Sequence, residues 1–205
     1  MISINPDHQT ERDNYKLLTG SILPRPIAFV TTLSAEGILN AAPYSYFNIV
    51  TSNPPMVSIS VQRQSGKQKD TSRNAIEKGA FVVHISDESY IDAINQTAAN
   101  LSPHESEVEL AGLTPVQSAA IDVPGVAEAK IRMECILEQA IPLGGNEEAP
   151  GCDLLIGRVV HFHIHESLYH EGRIDFNKLH PVSRLAGDFY SKLGELFSLE
   201  RPRRM

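Results

Sequence analysis

The segment QRQSGKQKDTSRN (62–74) sets Arg63, Lys67, Lys69 and Arg73 against a single anion, Asp70, in a chain whose net charge is −7. Such a local inversion of charge suits an anionic ligand. Ser65, Thr71 and Ser72 add hydroxyl donors, and Gly66 permits close backbone approach. The run opens into KDTSRNAIEKG, which reads as a helix, and the free N–H groups and dipole of a helix start favour phosphate. A solvated basic loop ahead of a capped helix accounts for the same composition.

Two further groups carry chemical potential. AAPYSYFNIV (41–50) places aromatics, a serine and an asparagine on extended chain between strands. A broken strand edge leaves backbone donors and acceptors free for a heteroaromatic ligand, whereas Tyr46 and Phe47 can equally pack beneath a bend. HFHIHE (161–166) alternates His161, His163 and His165 along one face of a strand. That row has the residue type of a metal site, and it also fits a polar strand face. Gly157, His161, His163, Glu166 and Gly172 partly resemble the first metal motif of cupins. The gap after the glycine is shorter than in that motif, and no second motif follows. Neither GxGxxG nor GxxxxGK[ST] occurs, and GxSxG and HExxH are absent too.

Composition narrows the setting. The chain has 205 residues, 41% hydrophobic and 21% charged, which suits one soluble domain spanning 1–205 with a full core. Its acidic balance argues against a dedicated nucleic-acid binder. No apolar run approaches the ~18–20 residues of a membrane span. The start, MISINPDHQTERD, lacks the basic and apolar regions of a secretory signal. Cys135 and Cys152 form no CxxC pair, so a cytoplasmic protein with reduced thiols is expected. Pairing of the strands that carry them would bring the two thiols near each other.

These residues need elements to hold them. Residues 10–20 read as a helix capped by Thr10 and stopped at Gly20, and Pro24 and Pro26 keep Arg25 extended. IAFVTTL reads as a strand, ILNAAPYSYFNIV as extended chain broken at Pro43, and MVSISVQ as a further strand. Residues 69–79 read as a helix capped by Asp70 or Thr71 and ended by Gly79. FVVHIS is a buried strand, Ser86 caps a helix running to about Leu101, and 102–125 is loop with a helical turn. In 127–137, Ala127, Ala129, Ile131, Met133, Cys135 and Leu137 share the core face. In 154–165, Leu154, Ile156, Val160, Phe162 and Ile164 share theirs. The linker 141–151 makes these two a long antiparallel hairpin. The class is mainly β: an antiparallel sheet, closed as a barrel that removes its edges, with peripheral helices.

PRPIAFVTTLSAEGILNAAPYSYFNIVTSNPPMVSISV, followed by KDTSRN, FVVHIS and LHPVSRLAGDFY, resembles the flavin reductase-like family over roughly residues 15–190. Ala186-Gly187 stands where that family usually has two glycines. The resemblance implies a six-stranded Greek-key, FMN-binding split β-barrel, a homodimer, with a C-terminal extension over 190–205. It implies that Lys69, Asp70, Thr71 and Asn74 hold the FMN phosphate. Ser45, Tyr46, Phe47 and Asn48 would line the isoalloxazine beside Ser60, and Arg184 and Tyr190, from this chain or a partner, would close the site. It further implies an oxidoreductase in which NAD(P)H passes a hydride to flavin N5, with no side-chain nucleophile. A non-catalytic FMN carrier would use the same barrel, and a cupin-like metal enzyme using the histidine row is the remaining alternative. The basic end, RPRRM, reads as a solvated tail.

Overall fold

The computed structural model describes residues 1–146 and 148–202. Seven strands form one antiparallel sheet: β1 (Ala28–Leu33), β2 (Leu39–Tyr44), β3 (Phe47–Ser52), β4 (Pro55–Gln62), β5 (Ala80–Ile85), β6 (Ile131–Leu143) and β7 (Cys152–Ile164). Their spatial order is β2-β1-β5-β6-β7-β4-β3. Laid flat, seven strands at about 4.8 Å spacing would hold the outer two nearly 30 Å apart. Yet those two, β2 and β3, are joined only by Ser45 and Tyr46, which span at most about 11 Å between Tyr44 and Phe47. The sheet must therefore roll until its edges meet. No ladder pairs the two edges among the described residues, so the seam stays open and the barrel is split.

The seam corrects the expected break at Pro43. Pro43 lies within β2, opposite Phe29, on an edge strand where a missing N–H costs no ladder bond. The chain breaks two residues later, so the sheet has seven strands where the resemblance implies six.

The barrel interior is filled by Val30, Val57, Ile59, Val61, Phe81, Val83, Met133 and Leu155. A second cluster outside the sheet, around Phe29, Tyr90, Ile94, Val108 and Val126, seats two short helices, α3 (Ile91–Gln96) and α4 (Glu107–Leu110). The preceding helices are α1 (Glu11–Ser21) and α2 (Asp70–Lys78).

Thr10 caps α1 as expected, its side chain accepting from Asp13 N. The helix passes through Gly20 and ends at Ser21, ahead of Pro24. Ser86 caps nothing: its hydroxyl donates to Ile27 O, and α3 starts only after Tyr90. Gly79 ends α2 in the left-handed conformation at φ 68°.

The long hairpin is present as β6 and β7, with two register shifts. On β6 the expected face is buried from Ala129 to Cys135. On β7 the faces are reversed as far as Val159: Asp153, Leu155, Gly157 and Val159 point into the barrel, while Leu154 and Ile156 are half-buried outside. The register shift between Val159 and His161 restores the expected face beyond it, with Phe162 opposite Met133 and Ile164 opposite Ile131. Asp153 can be inside because Arg63 pairs with it. Gly157 must be there because a Cβ would lie 2.4 Å from Phe81 Cζ. Cys135 faces Val159, seven residues along β7 from Cys152, so the thiols are roughly 23 Å apart at about 3.3 Å per residue. Both are free.

Candidate functional site

α2 begins without a side-chain cap. Its N-cap is Lys69, in extended conformation (φ −76°, ψ 157°), and that side chain makes no capping hydrogen bond. Asp70 is already the first helical residue, so neither expected cap performs that role. The opening turn therefore presents unsatisfied N–H groups at the positive end of the helix. It faces a cavity of about 540 Å³, within the ~300–1,000 Å³ range of small-molecule sites.

Tertiary structure sorts the four cations. Arg63 is turned away and donates to the buried Asp153 carboxylate at 2.6 and 3.1 Å. Arg73 pairs with Asp70 at 2.5 Å and also donates to Asn74 Oδ1. Lys67 and Lys69 line the cavity and have no ion pair among the described residues. Two lysines, not four cations, thus face the space ahead of the helix.

The cavity floor is a hydrogen-bond chain that the sequence reading missed. Tyr44 Oη donates to Thr71 Oγ1 at 2.9 Å, and Thr71 donates to Asn40 Oδ1 at 3.0 Å. Asn40 Nδ2 and Ala41 N both donate to Glu107 Oε2, at 2.9 and 3.2 Å. Burial pushes the Tyr44 phenol and the Glu107 carboxyl above their ordinary values. A lone polar residue, Asn40, in an apolar strand run is the one legible signal. Glu107 had none, since it arrives from a short helix 66 residues beyond Ala41.

Of the expected site residues, Lys69, Asp70 and Thr71 line this cavity. Asn74 is on the buried face of α2 and reaches the floor through Thr32 Oγ1. Ser45, Tyr46, Phe47 and Asn48 form the seam immediately beyond Tyr44. Phe47 also packs on the interior cluster. Ser60 lies across from the seam, where its N–H donates to Tyr46 O at 2.8 Å. Burial raises the Tyr46 phenol as well.

Arg184 and Tyr190 do not line this cavity. The guanidinium stacks over the Tyr190 ring at 4.5 Å and donates to its hydroxyl, which donates to Asn95 Oδ1 at 3.2 Å. Tyr190 lines a second cavity of about 350 Å³ with Glu88, Ile91, Asn95 and Lys192. The chain just past α3 lines the first cavity, and α3 itself lines the second.

The histidine row does not assemble. His161 and His163 rings lie 4.7 Å apart, but His163 is taken by Glu134 at 2.5 Å. His165 falls past the end of β7 and bonds Ser167. Glu134 is fully buried. Burial favours its neutral form, but the amides of Ala119 and Ala120, with His163, outweigh this and hold it below the usual carboxylate range. Among the described residues no group of three His, Cys, Asp or Glu is placed to hold a metal ion. No described helix is long and apolar enough to cross a membrane. The basic end read as a tail lies outside the described residues from 203 onward.

The sequence matches the Flavin reductase like domain over residues 19–178. It is 53% identical to the Bacillus subtilis protein YwrF across 98% of this chain and 100% of that one. The structure of nitrilotriacetate monooxygenase component B from Bacillus cereus superposes with a TM-score of 0.96 at 70% identity, covering 97% of this chain and 98% of the other. The 2-nitrobenzoate 2-nitroreductase of Pseudomonas fluorescens does so at 0.88 and 33%, covering 98% and 96%. A split-barrel domain from Shewanella frigidimarina shares the fold, with a TM-score of 0.80 at 20% identity over 96% of each chain.

Proposed function

The chain belongs to the flavin reductase-like family, and from that premise we propose that it is an FMN-binding oxidoreductase that takes hydride from NAD(P)H and works as a homodimer. The observation that carries the reading is the uncapped start of α2 with Lys67 and Lys69 over a Thr71 floor. Amide N–H groups and two ammonium groups suit a phosphomonoester, the terminal group of FMN. Bound FMN supplies an N5 that accepts hydride from a dihydronicotinamide. The protein's share is binding and orientation. Lys67, Lys69 and the α2 amides hold the phosphate end. The seam at 45–48 leaves backbone groups free for the polar edge of the ring, and Ser60 fixes the seam's path. No side chain has to act as a nucleophile.

The homodimer is supported by the outward face of β7, where Leu154 and Ile156 remain only half-buried ahead of Arg158. An apolar patch left partly uncovered on a sheet face is the kind of surface that a second copy covers. Similarity to a monooxygenase component favours an oxygenase as the recipient of the reduced flavin.

The visible absorption spectrum of the purified protein tests the cofactor. Oxidised-flavin bands are expected, with FMN released on denaturation in near one-to-one amount. A colourless protein that does not take up added FMN refutes the reading. Steady-state oxidation of NADH and NADPH with FMN then tests catalysis, and bound FMN without turnover identifies a carrier instead.

A further inference from the structure

Arg25 is 6% exposed, yet no carboxylate pairs with it among the described residues. Its guanidinium spends its donors on neutral carbonyls. Nη1 reaches Thr19 O at 2.8 Å and Ile22 O at 2.7 Å, and Nη2 reaches Leu185 O at 2.8 Å. Nε approaches Ser45 Oγ at 3.5 Å. Thr19 and Ile22 lie at the carbonyl end of α1, whose dipole offsets part of the buried charge. Desolvating an ion still carries a penalty of several kcal/mol, which a carboxylate partner usually offsets. Here a net positive charge is held at the first residue of the seam.

We propose that Arg25 is an electrostatic positioning residue that stabilises the reduced state of the flavin. The inference rests on the FMN reading and on the seam as the place of the ring. Hydride delivers two electrons and one proton, so the ring gains one net negative charge. A buried cation beside the seam favours that charge without needing to touch the ring, because its field is poorly screened there. Pro24 and Pro26 hold the backbone of Arg25 extended, and the pairing of Arg25 with Arg184 ties it to the C-terminal hairpin. The cation therefore has little freedom to leave the seam.

The test compares Arg25→Gln, which keeps hydrogen-bond donors and loses the charge, with Arg25→Lys, which keeps the charge. The readouts are the dissociation constants for oxidised and reduced FMN, or equivalently the midpoint potential of the bound flavin. In Arg25→Gln, reduced FMN should lose at least tenfold more affinity than oxidised FMN, a potential drop of about 30 mV for a two-electron couple. Arg25→Lys should keep the wild-type ratio even where its melting temperature falls. Equal shifts in the two variants, or none in Arg25→Gln, overturn the proposal and leave Arg25 a structural clamp. A measurement on the wild type stands if the glutamine variant does not fold. Reduced FMN on the protein should take up its pyrimidine-ring proton at lower pH than free reduced FMN, read by absorbance, and an unchanged value overturns the proposal. Failure of the wild type to bind FMN at all refutes the FMN reading itself, a result distinct from bound FMN with an unshifted potential.

Discussion

Replacing Lys69 by serine should stabilise the fold and weaken FMN binding at once. The N-cap backbone of α2 is already extended, at φ −76° and ψ 157°, which is the conformation that a capping serine adopts. Lys69 provides no cap, so a serine hydroxyl would satisfy an N–H that the native side chain leaves free. A cap of this kind is worth about 1 kcal/mol, a rise in melting temperature of about 2–4 °C for a chain of this size. The same hydroxyl competes for amides that the phosphate would use, and one of two unpaired cations is lost. A charged hydrogen bond contributes about 1.5–3 kcal/mol, so the FMN dissociation constant should rise about ten- to hundred-fold. Thermal melting of the flavin-free protein and fluorescence titration with FMN read the two effects separately. An unchanged FMN affinity, or a flavin-free protein that melts lower than wild type, would refute the assignment of α2 as an uncapped phosphate site.

Other consequences divide along the same geometry. Arg73→Met should weaken FMN binding by leaving the Asp70 carboxylate unpaired on the cavity wall, whereas Arg63→Met should lower the melting temperature by stranding the buried Asp153; the two are read by fluorescence titration and thermal melting. Gly157→Ala should destabilise by about 1–3 kcal/mol through overpacking against Phe81, seen as a lower midpoint in urea. Burial lowers the His84 pKa from 6.5 to about 3, while the ring bonds Phe29 O and accepts from Val126 N. The unfolded chain then binds the extra proton first as pH falls. The stability from this site is complete above pH 6.5 and drains away toward pH 3. The native Nδ1–H resonance should persist unshifted at pH 5, and titration near 6.5 in the folded state would contradict this.

Much of this protein was legible from local pattern alone. Thr10, Gly79 and the β-branched runs determine where α1, α2 and most strands lie, because caps, left-handed glycines and period-two alternation act over a few residues. The chemistry of 62–74 was readable for the same reason, since four cations and a helix start sit within one short segment. Partner choice was not readable. Whether a cation stays free depends on a carboxylate ninety residues away for Arg63 and on a helical turn for Arg73. The inward face of β7 up to Val159 is not readable because both faces carry apolar residues, and only the approach of Phe81 and the pairing of Asp153 select between them. Glu107 entered the cavity floor, and Arg25 the seam, through contacts that no spacing encodes. Local pattern sets the elements and the ligand chemistry that they can support. The closing of seven strands on a two-residue link decided which groups face the cavity, because burial and pairing are properties of neighbours in space.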